Sequence, residues 1–206
     1  MRKLLLSALF MVLAFCFVAK AAPTPTERLT STIDEVLAVL KNPDYKDSVK
    51  RIPLRAQLEK KIHEGFDFAE FSSRTVGRNW QAFSADQKER FQEAFANLLM
   101  VTYLDKIQGY NGEQVEYLKE VLSQKGDRAE VQTTVALSDG KKVPVSYRML
   151  LKNDTWSVYD VLIENVSLVK NYRSQFQDVL ARGTAEQLID RVNTRAQELQ
   201  AQAAVN

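Results

Sequence analysis

The sequence predicts an α+β fold: a group of helices, a curved four-stranded antiparallel sheet, then two further helices. Three observations carry this reading. Apolar residues recur at helical spacing up to about residue 109, switch to a period of two at Val115, and return to helical spacing after Ser167. Short polar turns separate four alternating runs: Lys125-Gly126-Asp127, Ser138-Asp139-Gly140-Lys141 and Asn153-Asp154. Two capping-box patterns, Ser84 with Gln87 and Thr184 with Gln187, mark long helices on either side of the sheet. Several helices then share one apolar sheet face, so the enclosed volume can exceed what side chains fill.

Residues 1–21 have the three parts of a secretory signal: Arg2 and Lys3, the apolar run Leu4 to Val18, and Ala19-Lys20-Ala21 as an A-x-A cleavage site. The run is shorter than the roughly 20 residues of a membrane span, which disfavours the alternative of an uncleaved anchor. Cys16 does not make a lipoprotein signal, because Phe15 precedes it where a small residue is needed. The expected mature chain is a single domain over 22–206, exported to the periplasm and without cysteine. It uses neither disulfides nor thiol chemistry and is large enough to fold on its core alone. Loss of Arg2, Lys3 and Lys20 lowers the basic count from 28 to 25, against 26 acids. A near-neutral chain of this kind does not support general attraction to nucleic acid or to an anionic membrane.

In chain order, Thr26 to Leu40 reads as a helix with Leu29, Ile33, Val36, Leu37 and Leu40 on one side, ended by Asn42-Pro43-Asp44. A second pattern covers Asp44 to Ile52, and a third starts at Pro53 and stops near Gly65. Asp67 caps a short helix bearing Phe68 and Phe71, stopped around Gly77. The longest helix follows Ser84 and ends near Gly109, with Phe91, Phe95, Leu98, Leu99, Thr102 and Ile107 on its apolar side. The expected strands are Val115 to Gln124, Arg128 to Leu137, Lys142 to Lys152 and Thr155 to Ile163. Val131, Thr133, Val135 and Leu137 share one face of the second; Val143, Val145, Tyr147, Met149 and Leu151 share one face of the third. Helices over Ser167 to Arg182 and from Thr184 onward close the chain.

Motifs of catalysis are absent: no G-x-S-x-G, no Gly-rich phosphate loop, no H-E-x-x-H. One histidine and no mature cysteine cannot make a metal cluster, so no cofactor is expected. That histidine, His63, sits among Lys60, Lys61 and Glu64 and reads as a surface residue. Asp160 is the one candidate acid, placed by alternation on the strand face of Trp156 and Val158, where apolar neighbours would raise its pKa. A hydrogen bond to backbone or to an arginine at the sheet rim is the favoured reading, because a single acid without a partner is weak evidence of catalysis.

Apolar surface remains. Phe66, Phe68, Phe71, Trp80, Phe83, Phe91, Phe95 and Tyr103 all precede the sheet, and pattern alone does not separate a filled core from a cavity. The stretch Trp156 to Phe176 poses the same choice, since a strand there runs through Ile163-Glu164-Asn165 toward a helix capped by Ser167.

The run Thr75 to Leu118 and the stretch Trp156 to Phe176 resemble the signatures of a known family. The pieces are Gly77-Arg78-x-Trp80, Gln87-x-x-x-Phe91-x-x-x-Phe95, Tyr103, Tyr159-Asp160-Val161, Val166-Ser167-Leu168 and Tyr172-Arg173-Ser174-x-Phe176, in the family's order and spacing. The family is MlaC, also called the toluene-tolerance (Ttg2) proteins, and the resemblance covers nearly all of the mature chain. It implies a monomeric periplasmic carrier with a sheet related to the nuclear-transport-factor-2 (NTF2-like) fold. Such a carrier holds a glycerophospholipid by its acyl chains, with the headgroup outside. The implied partners are an outer-membrane lipoprotein complex (MlaA-like) and an inner-membrane ABC transporter with an MCE-domain subunit (MlaD-like). By the same resemblance Val131, Val135, Val145, Tyr147 and Met149 line the pocket from the sheet. Phe95, Leu98, Leu99, Tyr103, Val161, Ile163, Val166, Val169 and Tyr172 line it from the helices and the strand–helix junction. An enzyme with an acid in the pocket, and a chaperone with an open apolar groove, are the readings of other classes.

Overall fold

The computed structural model describes residues 22–47, 49–108, 112–137 and 139–205. The expected export signal and the expected helix cap at Gly109 lie outside them. Helix α1 (Pro25–Leu40) opens on a capping box in which the Glu27 N–H donates to Thr24 Oγ1 at 3.2 Å. A single 3-10 turn, Pro43–Lys46, takes the place of the helix expected over 44–52. Helix α2 (Arg51–Gly65) begins two residues before Pro53 rather than at it. Proline is tolerated there because its missing N–H falls in the first turn, where no helical partner exists. Helix α3 (Phe68–Val76) is capped by Asp67, which accepts from the Glu70 N–H at 2.9 Å, and is stopped by Gly77 at φ 66°. Helix α4 (Ala85–Gln108) starts from reciprocal Ser84–Gln87 hydrogen bonds of 3.0 and 3.1 Å.

Strands β1 (Gln114–Leu122), β2 (Arg128–Ala136), β3 (Lys142–Lys152) and β4 (Thr155–Ile163) form the expected antiparallel meander in sequence order. A fifth strand, β5 (Val166–Ser167), pairs with β4, so the described sheet has five strands rather than four. Two residues give no period to read, which is why alternation missed it. The chain reverses between β4 and β5 at Glu164 (φ 50°) and Asn165 (φ 67°), a turn with both central residues in the left-handed region and no glycine to announce it. The strand therefore doubles back before helix α5 (Leu168–Leu180) instead of running directly into it. Helix α6 (Ala185–Val205) begins with the Thr184–Gln187 box, at 2.9 and 3.3 Å.

The helices cover one face of the sheet. Buried Val131, Thr133, Val145 and Met149 point toward them, and Glu130 and Arg148 occupy the other face. Phe71, Phe91 and Phe95 are the largest fully buried side chains, and Phe95 meets the rings of Phe71 and Tyr172 edge-on at centroid distances of 5.4 and 5.0 Å. Around Phe91 and Phe95 the aromatic stripe is solid core. Ion pairs tie the layers at their margins: Arg90 of α4 to Glu186 of α6 at 2.6 Å, and Lys152 of β3 to Asp67 at 2.7 Å.

Phe95→Ala removes a fully buried ring from this cluster and is expected to lower the unfolding free energy by about 4 kcal/mol. Urea denaturation measures it, as a lower midpoint at unchanged slope; a loss below about 1 kcal/mol would show the ring is not tightly packed.

Candidate functional site

The inner sheet face is covered unevenly. Around Val131, Met149 and Val158, each at most 1 % exposed, side chains fill the space between sheet and helices. Toward Val143, Leu137 and Ile163 they do not, and a cavity of about 520 Å³ remains. Helix α4 explains the gradient. Its first half contributes the large rings of Phe91 and Phe95 to the core, whereas its second half contributes Leu99, Met100 and Leu104 to the cavity wall. Opposite them stand Val135, Val143, Val145, Tyr147, Val161 and Ile163 of the sheet, with Leu137 just beyond the end of β2. Ile62 and Phe66 at the end of α2, Phe68 and Phe71 of α3, Tyr103 of α4 and Leu168 at the start of α5 complete the lining.

Only two lining side chains carry a polar oxygen, Tyr103 and Tyr147. Burial raises the pKa of both and pushes Tyr147 up to about 12, as expected for a phenol surrounded by hydrocarbon. The Tyr103 hydroxyl is hydrogen-bonded to that of Tyr172, which burial likewise pushes up to about 12. Tyr103 also borders a second hollow of about 540 Å³ between α4, α5 and α6. This one has an apolar floor but a polar rim of Asn171, Gln175, Asp178, Arg191 and Arg195.

The residues expected to line a pocket divide accordingly. Leu99, Tyr103, Val135, Val145, Tyr147, Val161 and Ile163 lie on the apolar cavity. Leu98 and Tyr172, with Tyr103, lie on the second hollow. Phe95, Val131, Met149 and Val169 are packed in the solid core. Val166, on the two-residue β5, faces outward at 58 % exposure and is not part of the wall. Reading the sequence did not assign Ile62, Phe66, Phe68, Phe71, Met100, Leu104, Leu137, Val143 or Leu168 to the lining. Leu137 and Val143 share the correctly read inward faces, and the three phenylalanines belong to the aromatic set left open between core and cavity. Leu168 belongs to the Val166-Ser167-Leu168 piece, whereas Ile62, Met100 and Leu104 carried no signal beyond being apolar.

Asp160 makes the backbone and arginine hydrogen bonds of the favoured reading, but from the other face of the strand than alternation gave it. A bulge at Tyr159 interrupts the β3–β4 register, so Arg148 pairs with Asp160 while Met149 pairs with Val158. The extra residue turns Asp160 away from the face of Trp156 and Val158. It is nonetheless 1 % exposed, and its carboxylate accepts from the Ser167 hydroxyl at 2.7 Å, the Val169 N–H at 3.0 Å and Arg148 Nη1 at 3.3 Å. Arg148 in turn holds Glu130 at 3.1 Å. The buried acid is a structural anchor for the start of α5, where a free N–H and the helix dipole favour negative charge. His63 is exposed and rests on the Phe68 ring, with centroids 4.6 Å apart. Among the described residues no group of three or more His, Cys, Asp or Glu is placed to hold a metal ion.

Order of elements, sheet topology and cavity together define an α+β protein with an apolar hollow between sheet and helices. The chain belongs to the MlaC family: the model described as MlaC protein matches residues 30–194. It is 26% identical over 183 residues to the toluene tolerance protein ttg2D of Pseudomonas putida, covering 84% of this chain and 81% of that one. Its fold matches the solved structure of the phospholipid-binding protein from Ralstonia solanacearum in complex with a phospholipid. That match has a TM-score of 0.78 at 24% identity and covers 86% of this chain and 99% of the other.

Asp160→Ala leaves the Val169 N–H, the Ser167 hydroxyl and Arg148 without their shared acceptor, with an expected loss of about 3 kcal/mol in unfolding free energy. Asp160→Asn keeps one acceptor and is expected to lose about half as much. Equal stability of wild type and Asp160→Ala in denaturant titration would refute the anchoring role.

Proposed function

We propose that this protein is a periplasmic phospholipid carrier. In this reading it takes the acyl chains of a glycerophospholipid into the apolar cavity and leaves the headgroup outside. The observation that carries the reading is the lining: a cavity of about 520 Å³ with two hydroxyls as its only polar side-chain oxygens suits hydrocarbon and little else. Membership of the MlaC family and the phospholipid held by the Ralstonia protein of the same fold support it. The signal-like residues 1–21 support export. Part of the same proposal is that the chain moves lipid between an outer-membrane lipoprotein complex and an inner-membrane ABC transporter with an MCE-domain subunit, maintaining outer-membrane lipid asymmetry, and that its sheet is related to the nuclear-transport-factor-2 fold.

Physical magnitudes favour handover over free release. Two acyl chains hold about 30 methylenes, so at ~0.8 kcal/mol each, roughly 24 kcal/mol opposes their escape into water. A carrier with such a ligand delivers it at a protein contact. The near-neutral mature chain fits reversible docking at local patches better than general adhesion to a charged surface.

Mass spectrometry of an organic extract of protein purified from cells is expected to find about one diacyl phospholipid or more per chain. Folded protein that is consistently empty would overturn the proposal. Leu99→Trp and Val145→Trp, which fill opposite walls, are expected to cut occupancy roughly tenfold or more, equivalent to losing two or three methylene contacts at about 0.8 kcal/mol each. Circular dichroism checks that helix and sheet content persist. Full occupancy in both variants would show that the chains lie elsewhere.

A further inference from the structure

The two hydroxyls of the cavity lining differ in one respect. That of Tyr103 is engaged by Tyr172. That of Tyr147 makes no hydrogen bond to any described residue. Its neighbour Tyr117 does not supply one, since the buried Tyr117 hydroxyl makes no hydrogen bond to a described residue either. Tyr147 also stands at a boundary. On its own strand face Val145 borders the cavity and Met149 is fully buried core; across the strands its partners are Val131, of the core, and Val161, of the cavity. The half-buried side chain thus brings its hydroxyl to a space walled by hydrocarbon, with no protein acceptor beside it. A phenol at this position is not needed for packing alone, because Phe would offer the same ring without the unpaired donor.

We infer that the Tyr147 hydroxyl is a donor reserved for the ligand, and that it hydrogen-bonds an ester carbonyl of the bound diacyl lipid. This rests on the proposed lipid-carrier reading and adds to it a selectivity. In a glycerophospholipid the ester carbonyls are the acceptors attached directly to the acyl chains, so chains seated in the cavity bring them nearest to its walls. A hydrocarbon tail has no group that answers this hydroxyl, and an ether-linked chain offers a weaker acceptor with no carbonyl. The ester region is accordingly drawn inside the protein as far as Tyr147. The chains run from there between the Phe66–Phe68 wall and the Leu99–Leu104 wall. Tyr147 is a specificity-determining contact: it selects ester-linked lipid and fixes how far the glycerol end enters.

The test is a competition. Mature protein stripped of its bound lipid in denaturant is refolded with an equimolar mixture of diacyl and dialkyl phosphatidylethanolamine of identical chain length, then re-isolated, checked for fold by circular dichroism, and its bound lipid quantified by mass spectrometry. Wild type is expected to enrich the ester form by roughly threefold to tenfold, the value of one neutral hydrogen bond. Tyr147→Phe is expected to bring the ratio to about one. The ratio is counted per bound lipid, so a change in total loading does not obscure it. A wild-type ratio near one, or an unchanged ratio in Tyr147→Phe, overturns the inference. A second reading uses wild type alone, with a ¹³C-labelled ester carbonyl: its infrared stretch is expected at the hydrogen-bonded position, and a free-ester stretch overturns the inference even if the variant does not fold. Protein that takes up neither lipid overturns the carrier reading itself, whereas unselective loading overturns only the role of Tyr147.

Discussion

The buried carboxylate of Asp160 is the interaction on which the shape of the molecule turns. A strand, a left-handed two-residue turn, a two-residue strand and a helix follow one another within about a dozen residues, and each leaves backbone groups in need of partners. Asp160 meets one of these needs directly, accepting from the Val169 N–H inside the first turn of α5, and from the same position bonds the Ser167 side chain that caps the helix and Arg148 of the neighbouring strand. The bulge at Tyr159 is what brings the carboxylate there. With it, α5 leaves the sheet edge at a fixed angle, placing Leu168 against the cavity and Tyr172 and Phe176 against the aromatic core. The acid that looked like a candidate for catalysis is explained by this geometry, since all of its hydrogen bonds hold the fold.

Most of the architecture was legible because its signals are local. Both capping boxes, the Asp67 cap and the stop at Gly77 form as the side chains dictate. The meander follows from alternation and turn residues, and the inward faces of β2 and β3 come directly from the period of two. Failure came where the period breaks. One extra residue at Tyr159 reverses the facing of Asp160, and no composition cue marks it. The turn at Glu164–Asn165 uses neither Gly nor Pro, so the reversal into β5 stayed hidden and Val166 was assigned inward. The cavity was legible only as a possibility. Val131 and Val135 share one strand face and one chemistry, yet one is core and the other cavity wall. The difference lies in how far the helix above them stands off, which depends on residues distant in sequence.

That standing-off is set by a change of side-chain size along α4. Phe91 and Phe95 stack at 5.8 Å and fill the first half of the interface. Beyond them α4 presents Leu99, Met100, Tyr103 and Leu104 to the cavity, and Phe66 and Phe68 on the facing elements stack on each other at 5.8 Å rather than reaching across. Peripheral ties such as Arg90–Glu186 and Lys152–Asp67 join the layers at their margins.

An apolar hollow of this size has an energetic consequence. Empty volume in a protein interior costs on the order of 24 cal/mol per Å³. That value holds for closed voids; the hollow of about 520 Å³ is partly open, so it costs less than the full product. Water relieves little of it, because a cavity with few polar atoms gives water few partners. A wide mouth would lower the figure by exchanging void for wetted apolar wall, which is itself unfavourable. A fold that tolerates this space must therefore draw part of its stability from whatever fills it, or hold its walls apart with the surplus of its aromatic core and of the Asp160 junction. Occupancy and folding are then linked: each contact the occupant makes with Leu99, Val145 or Ile163 also stabilises the sheet–helix frame. The solid half of the interface makes the open half possible.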